Sequence, residues 1–183
     1  MKTIQLFGFI ICFFTFACQQ KYKKEPENRP FFSLKTFFEK EARALNKKKP
    51  RIDKRFIHND IIQQKSIVIE NWEDELEIFR NADINKTAWE KNYHTDSLQK
   101  GAYTYINYKT SSDLPIQSIE IVKRKEKIIE IKIARLVNNL LYHASEKLSY
   151  SPYGHYRIEK TFQTFFFKKN RYVIDVSVAK IHE

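Results

Sequence analysis

The chain has 183 residues and a formal net charge of +11 at pH 7, a length that predicts one domain with a substantial hydrophobic core. Its three glycines are too few for a P-loop or a dinucleotide fingerprint, and the G-x-S-x-G and H-E-x-x-H motifs are absent, so these enzyme classes are excluded. We therefore predict a protein that is not an enzyme, with no catalytic residue, no metal site, and no cofactor.

Residues 1–17 have the three parts of an export signal. Lys2 is their only charge, residues 6–17 form an apolar run of 12 residues, and the small residue Ala17 ends it. The run is shorter than the roughly 20 apolar residues that span a bilayer. These features predict that the N-terminal segment directs export and is not part of the folded protein.

The ending "TFAC" resembles the lipobox of bacterial lipoproteins. In that family the cysteine receives a diacylglycerol, a peptidase cuts before it, and the new amine is often acylated. The resemblance implies that Cys18 is lipidated, although Thr15 stands where leucine is commonest and Phe16 is bulkier than usual. An ordinary cleaved signal peptide and a retained anchor remain as alternatives. With Cys12 removed and Cys18 lipidated, no thiol is left to form a disulfide.

Residues 18–30 are polar, include two of the five prolines and show no apolar periodicity. This composition predicts a tether, which the lipobox resemblance implies is anchored to lipid at Cys18, and residues 31–183 then form a single domain. Lys21, Lys23 and Lys24 lie nearest the lipid, where a lysine beside anionic headgroups contributes about 1 kcal/mol. This attraction and the plain solubility of a linker explain the three lysines equally well.

The first helix is predicted directly after the tether. Ser33 is a favourable N-cap, and Phe32 and Phe37 have the spacing of a hydrophobic staple. The residues that follow repeat with a helical period and present an apolar face that Glu41 interrupts. Pro50 prevents the helix from continuing.

The densest basic run is "KKKPRIDKR" at residues 47–55, with six Lys or Arg in nine positions. No recognition-helix, zinc-finger or RNP-like pattern accompanies it, so no nucleic acid partner is predicted. Anionic lipid or polysaccharide is one interpretation of the run. A solvated loop between a helix and a strand is the simpler interpretation.

Residues 51–70 have the pattern of a β-hairpin, with its turn predicted at residues 58–60. A second helix follows, with Asn71 as its N-cap and three acidic residues in its first turn. Buried anchors are expected in this helix and in the segment behind it: Trp72, Leu76, Phe79, Trp89 and Tyr93.

From residue 103 onward, six segments alternate between apolar and polar residues. Nothing between them is long enough for a crossover helix, so the strands should form an antiparallel meander. Isoleucines of two neighbouring strands are expected to face one another: Ile119 and Ile121 with Ile129, Ile131 and Ile133. The predicted class is α+β, with two helices packed on a mainly antiparallel C-terminal sheet. The sequence pattern does not decide whether this sheet is strongly curved.

The stretch "YSPYGHYR", residues 150–157, is the most suggestive local cluster for binding. Tyrosine and arginine are typical recognition residues, and arginine binds anions in a bidentate manner. The candidate ligand or partner contacts are Tyr150, Tyr153, His155, Tyr156 and Arg157. A β-turn between strands with aromatic ends explains the same residues. Three consecutive phenylalanines at residues 165–167 predict either burial on both sides of a strand or an exposed apolar patch.

Segments such as "FFEKEARAL" and "NNLLYHASEKLSY", together with the lipobox, are similar to those of small lipoproteins of Gram-negative envelopes. That family has no assigned activity, so the resemblance implies a location and no mechanism. The implied location is the cell envelope, where a lipid is expected to anchor the protein to the outer membrane. The favoured function is a membrane-anchored binding or assembly accessory whose partner is an envelope protein, a glycan or a lipid. The alternatives are a carrier of lipid or another hydrophobic ligand, with a half-barrel cavity, and an enzyme with a dispersed site.

Overall fold

The computed structural model describes residues 29–59, 61–138, 140, 142–164 and 170–179. Cys18, the tether up to residue 28 and the phenylalanines at residues 165–167 lie outside these ranges, so the predictions made for them stay predictions. Within the described ranges the chain is mostly β, with a few helices.

Helix α1 spans Leu34–Lys48, as predicted. The Ser33 hydroxyl accepts a backbone N–H of the first turn at 3.1 Å, and the rings of Phe32 and Phe37 lie 5.8 Å apart, so the N-cap and the hydrophobic staple are confirmed. The helix ends at Lys49, whose left-handed backbone has a φ of 45° and whose N–H donates back to the last turn.

The second predicted helix is broken into two short helices, α2 over Trp72–Glu75 and α3 over Glu77–Arg80. Asn71 accepts a backbone N–H of α2 at 2.9 Å, which confirms it as the N-cap. Leu76 separates the two helices because its ψ of 6° departs from the helical value. A 3₁₀ helix follows over Thr87–Asn92. Four of the predicted anchors are buried, namely Trp72, Leu76, Phe79 and Tyr93, whereas Trp89 is half-buried.

Nine strands in the described part of the chain form one antiparallel sheet. They are β1 (Arg51–His58), β2 (Ile61–Val68), β3 (His94–Lys100), β4 (Tyr103–Lys109), β5 (Ile116–Arg124), β6 (Lys127–Asn138), β7 (Tyr142–Ser151), β8 (His155–Thr164) and β9 (Asn170–Val178). Their order is β2-β1-β9-β8-β7-β6-β5-β4-β3, so the sheet is not closed and has β2 and β3 at its edges. The predicted antiparallel meander is confirmed, and the N-terminal hairpin extends it because β1 pairs with β9.

Two details of the sheet differ from the prediction. The sequence pattern does not predict β3, because all seven residues of this strand are exposed and "HTDSLQK" lacks an apolar alternation. Ile129 does not share the buried face of Ile131 and Ile133 and is 37% exposed. A β-bulge in the pairing of β5 with β6 shifts the register by one residue, so Ile128 packs against the core in its place.

One face of the sheet carries the strand residues of the hydrophobic core, which occupy alternate positions of their strands. Val122 and Val173 are buried on the other face. The ring of Tyr150 in β7 lies 4.9 Å from that of Phe38 in α1 and 5.8 Å from that of Phe79 in α3. Trp72 of α2 lies close to the β7–β8 turn, and this contact depends on Gly154. A Cβ at that position would lie 3.1 Å from the ring of Trp72. Aromatic rings of α1, α3 and β7 are therefore in mutual contact within the core.

Candidate binding face of the sheet

The strand residues that alternate with the core residues form the opposite face of the sheet, which we call the polar face. Six of them lie in one row across β4 to β9, each directly opposite the next in the antiparallel pairing. We call them the polar row: Asn107, Glu120, Lys132, Ser149, Arg157 and Asp175. Because the side-chain period of a strand is two, polar residues at alternate positions of six strands come together on one surface.

A depression of about 440 Å³ lies on this face, and residues of five adjacent strands, β4 to β8, line it. Three of the lining residues, Ser118, Ala134 and Ser149, have small side chains. Larger polar and charged side chains surround them: Asn107, Lys109, Glu120, Lys132, Lys147, Arg157 and Glu159. The depression therefore lies where the strand register places short side chains between larger ones.

Several charged residues of the polar row form ion pairs. Lys132 Nζ lies 3.0 Å from a carboxylate oxygen of Glu130 and 3.1 Å from one of Glu120. The hydrogen bond to Glu130 raises the pKa of Lys132, with a further contribution from Glu120, so the ammonium group stays protonated. On the far side, Arg157 donates to Asp175 at 3.0 Å. These pairs hold charged side chains beside the depression.

Two lysines of the depression differ from this pattern. Lys109 and Lys147 are exposed, and within the described part of the chain no carboxylate forms an ion pair with either one. Ser118 and Ala134 lie between them in one cross-strand row, which places them roughly 14 Å apart at about 4.8 Å per strand. Four basic and two acidic side chains line the depression in all. The lining alone therefore has two more basic than acidic side chains.

Two of the five residues predicted as ligand contacts belong to the core. Tyr150 is fully buried, and its hydroxyl donates to Glu41 of α1 at 2.7 Å. Tyr156 is 1% exposed, and its hydroxyl donates to Glu75 of α2. Burial raises the pKa of both phenols well above the ordinary value, because it disfavours their ionised forms. Both hydroxyls therefore join the helices to the sheet and do not face solvent.

The other three predicted residues are accessible but lie in different places. Tyr153 is 72% exposed in the β7–β8 turn, and the ammonium group of Lys48 lies 5.4 Å from its ring centroid. His155 and Arg157 point to the polar face, where Arg157 lines the depression and His155 lies toward β1 and β9. Neighbouring strand residues point to opposite faces, so the five residues are divided. Arg157 alone among them contributes to the depression.

The sequence pattern does not single out Lys109 or Lys147. Each is a polar residue of an alternating strand, a property that they share with many exposed lysines. Their common row depends on the register of four strands, which is set by pairing across the sheet. Only the structure therefore reveals that they lie on one surface.

The titratable side chains in the described ranges include no cluster of three or more that would hold a metal ion. None of the helices in those same ranges has the length and the hydrophobicity needed to cross a membrane. No protein-family model matches the chain, and no curated protein or solved structure shows significant similarity to it.

Proposed function

We propose that this chain is a membrane-anchored lipoprotein of the bacterial cell envelope and that its folded domain is a non-enzymatic binding module. Its ligand site is the depression on the polar face, and its ligands are anionic groups of an envelope glycan. The observation that carries the proposal is the excess of basic side chains around the depression, where Lys109 and Lys147 have no carboxylate partner among the described residues.

The chemistry of the depression suits an acidic sugar polymer. Lysine and arginine bind carboxylate or phosphate groups, while the hydroxyl and amide groups of Asn107, Ser118 and Ser149 pair with sugar hydroxyls. The five strands that line the depression extend over roughly 19 Å at about 4.8 Å per strand. An open surface of this length accommodates several sugar units of an extended chain.

The N-terminal segments supply the proposed anchor. Cys18 is the lipidation site, the outer membrane is the proposed location, and the tether of residues 18–30 links the lipid to the domain. The chain enters the fold at Phe31, which is buried and whose N–H donates to the Asn85 side chain at 3.2 Å. Twelve tether residues reach at most about 40 Å when extended. The tether therefore keeps the domain near the membrane surface.

The contacts between helices and sheet favour a binding module over a lipid carrier. A carrier needs an apolar cavity of several hundred Å³. The space beneath the helices instead contains large side chains that are fully buried: Phe38, Trp72, Phe79, Tyr150 and Tyr156. In this proposal, α1, α2 and α3 cover one face of the sheet, and ligand binding takes place on the other face.

The placement of the perturbed hydroxyl groups favours binding over catalysis. Burial raises the pKa of Tyr93 to about 12, and its hydroxyl donates to the Ile116 carbonyl at 2.7 Å. The other two tyrosines with raised pKa values, Tyr150 and Tyr156, donate to helix carboxylates in the core. These groups stabilise the fold and lie away from the depression.

Charge reversal of the two lysines tests the ligand site. The variant Lys109→Glu/Lys147→Glu should bind polygalacturonate, a carboxylated polysaccharide, at least about tenfold more weakly than the wild type. Each lysine–carboxylate contact contributes about 0.5–1 kcal/mol at an exposed site, and the new glutamates repel the ligand. Isothermal titration calorimetry at low salt measures the affinity, and neutral dextran should not bind.

The variant Lys40→Glu/Lys91→Glu is the matched control, because it makes the same change in net charge at exposed positions of α1 and the 3₁₀ helix. It should retain most of the affinity, apart from a small decrease due to net charge. Equal losses in the two variants would show that binding follows net charge, and no loss in either would exclude the depression as the site.

A further inference from the structure

Strand β2 forms one edge of the sheet, and all eight of its residues are exposed. Four of them are large and apolar: Ile61 at 64%, Ile62 at 61%, Ile67 at 37% and Val68 at 45% exposure. Its inner side pairs with β1, and no described strand pairs with its outer side. The N–H and C=O groups of this outer side are thus free to pair with another strand.

Apart from one lysine, the usual protections of an edge strand are missing from β2. Natural sheets protect their edges with proline, bulges or several charges. The sequence of β2 has no proline, its pairing with β1 has no register shift, and Lys65 is its only charge. The opposite edge differs, because β3 carries His94, Asp96 and Lys100 beside a single large aliphatic residue, Leu98. Of the two edges, β2 is the one suited to pairing.

The sequence of β2 is complementary to itself in one antiparallel register. A two-fold axis perpendicular to the sheet keeps each face continuous between two copies, so opposing residues must belong to the same face. With the axis at Gln64, the opposing pairs are Ile61 with Ile67, Ile62 with Ser66, Gln63 with Lys65, and Gln64 with Gln64. The isoleucines of one face then meet one another, and no lysine opposes a lysine.

The two neighbouring registers are less favourable. An axis at Gln63 would set Ile61 against Lys65. An axis at Lys65 would place two lysines directly opposite each other and would set Gln63 against Ile67. Like charges in directly opposed positions destabilise a strand pair. The sequence therefore selects the register with Gln64 on the axis.

We propose that two copies of this chain associate through β2, in antiparallel pairing with Gln64 on the two-fold axis, to form one continuous sheet. A second copy is the partner because β2 complements itself in this register. Such an interface is self-limiting, since each copy uses the same edge, whereas pairing of β2 with β3 of another copy would propagate into filaments. This inference depends on neither the proposed ligand nor the proposed lipid anchor.

Disulfide trapping tests the register. The full-length chain carries Cys12→Ser and Cys18→Ser, so that one introduced cysteine is its only thiol, and is oxidised in mild detergent. The method suits a single strand pair, which buries less surface than the about 1,200–2,000 Å² of a standard stable interface. Gln64→Cys should form covalent dimers, because directly opposed Cα atoms lie about 4.5–5.5 Å apart, within disulfide range.

The variant Ser66→Cys is the matched control, because it lies on the same face of the same strand. Two copies of Ser66 would be roughly 14 Å apart in this register at about 3.4 Å per residue, so its dimer yield should be at least tenfold lower. A mixture of Ile62→Cys and Ser66→Cys chains should give the mixed dimer. Equal yields from Gln64→Cys and Ser66→Cys, or no dimer from Gln64→Cys, would overturn the proposal.

A second pair of variants separates the possible edges. In the Gln64→Cys chain, Ile61→Lys/Ile67→Lys sets lysine against lysine across the axis and should reduce the dimer yield at least tenfold. Leu98→Lys introduces the same kind of charge on β3 and should leave the yield unchanged. Loss of the dimer with Leu98→Lys would show that β3 takes part and would overturn the two-fold pairing of β2. Circular dichroism verifies that each variant is folded.

Discussion

Glu41 interrupts the apolar face of α1, and its carboxylate accepts a hydrogen bond from the buried Tyr150 hydroxyl at 2.7 Å. A half-buried carboxylate without a partner is costly, so the two residues depend on each other. Replacement of Tyr150 by phenylalanine should lower the free energy of unfolding by about 1–2 kcal/mol, because it removes the donor and retains the ring. Urea denaturation measures the change.

Tyr153→Phe is the matched control, because it makes the same substitution at a side chain that is 72% exposed in the nearby turn. Its unfolding free energy should stay within about 0.5 kcal/mol of the wild type. If Tyr150→Phe had no larger effect than this control, the hydrogen bond to Glu41 would not stabilise the fold.

The N-terminus of helix α1 receives a second cap from a residue that is distant in sequence. Asp83 accepts the Lys35 N–H at 2.7 Å and a hydrogen bond from the Ser33 hydroxyl at 3.0 Å. Asp83→Ala should therefore destabilise the protein by about 1–2 kcal/mol, since it leaves a helix N–H without its acceptor and detaches the segment after α3. Thermal and urea denaturation measure the loss. Asp113→Ala, at an exposed loop position, should have almost no effect, and a similar loss there would argue against the cap.

Local signals are sufficient for α1, since Ser33 and the staple lie within a few residues of one another, and for the alternating strands of the meander. They fail for β3, whose exposed residues carry no apolar period, and for Ile129, which a bulge turns away from the core. The depression could not be predicted, because it depends on the register of β4 to β8.

The membrane attachment proposed for the whole protein depends on one atom, the sulfur of Cys18. Cys18→Ser should abolish acylation and leave a precursor that retains residues 1–17, which intact-mass spectrometry detects. The unfolding midpoint of the domain should not change, because the chain enters its core at Phe31. Cys12→Ser is the control and should be processed and acylated as the wild type. Acyl chains on the Cys18→Ser protein would disprove lipidation at this residue.

The pairing of β1 with β9 sets the order in which the sheet is completed. Strands β3 to β9 each pair with a neighbour in sequence, so their contacts close short loops, whereas Ile52 pairs with Val178 near the other end of the chain. Closing so long a loop carries the larger entropic penalty, and contacts of this kind form late. An isolated two-stranded hairpin is only marginally stable in water. The β1–β2 hairpin is thus synthesised first but pairs with β9 last. A chain truncated before residue 170 would lack β9 and would leave both β1 and β8 with unpaired edges.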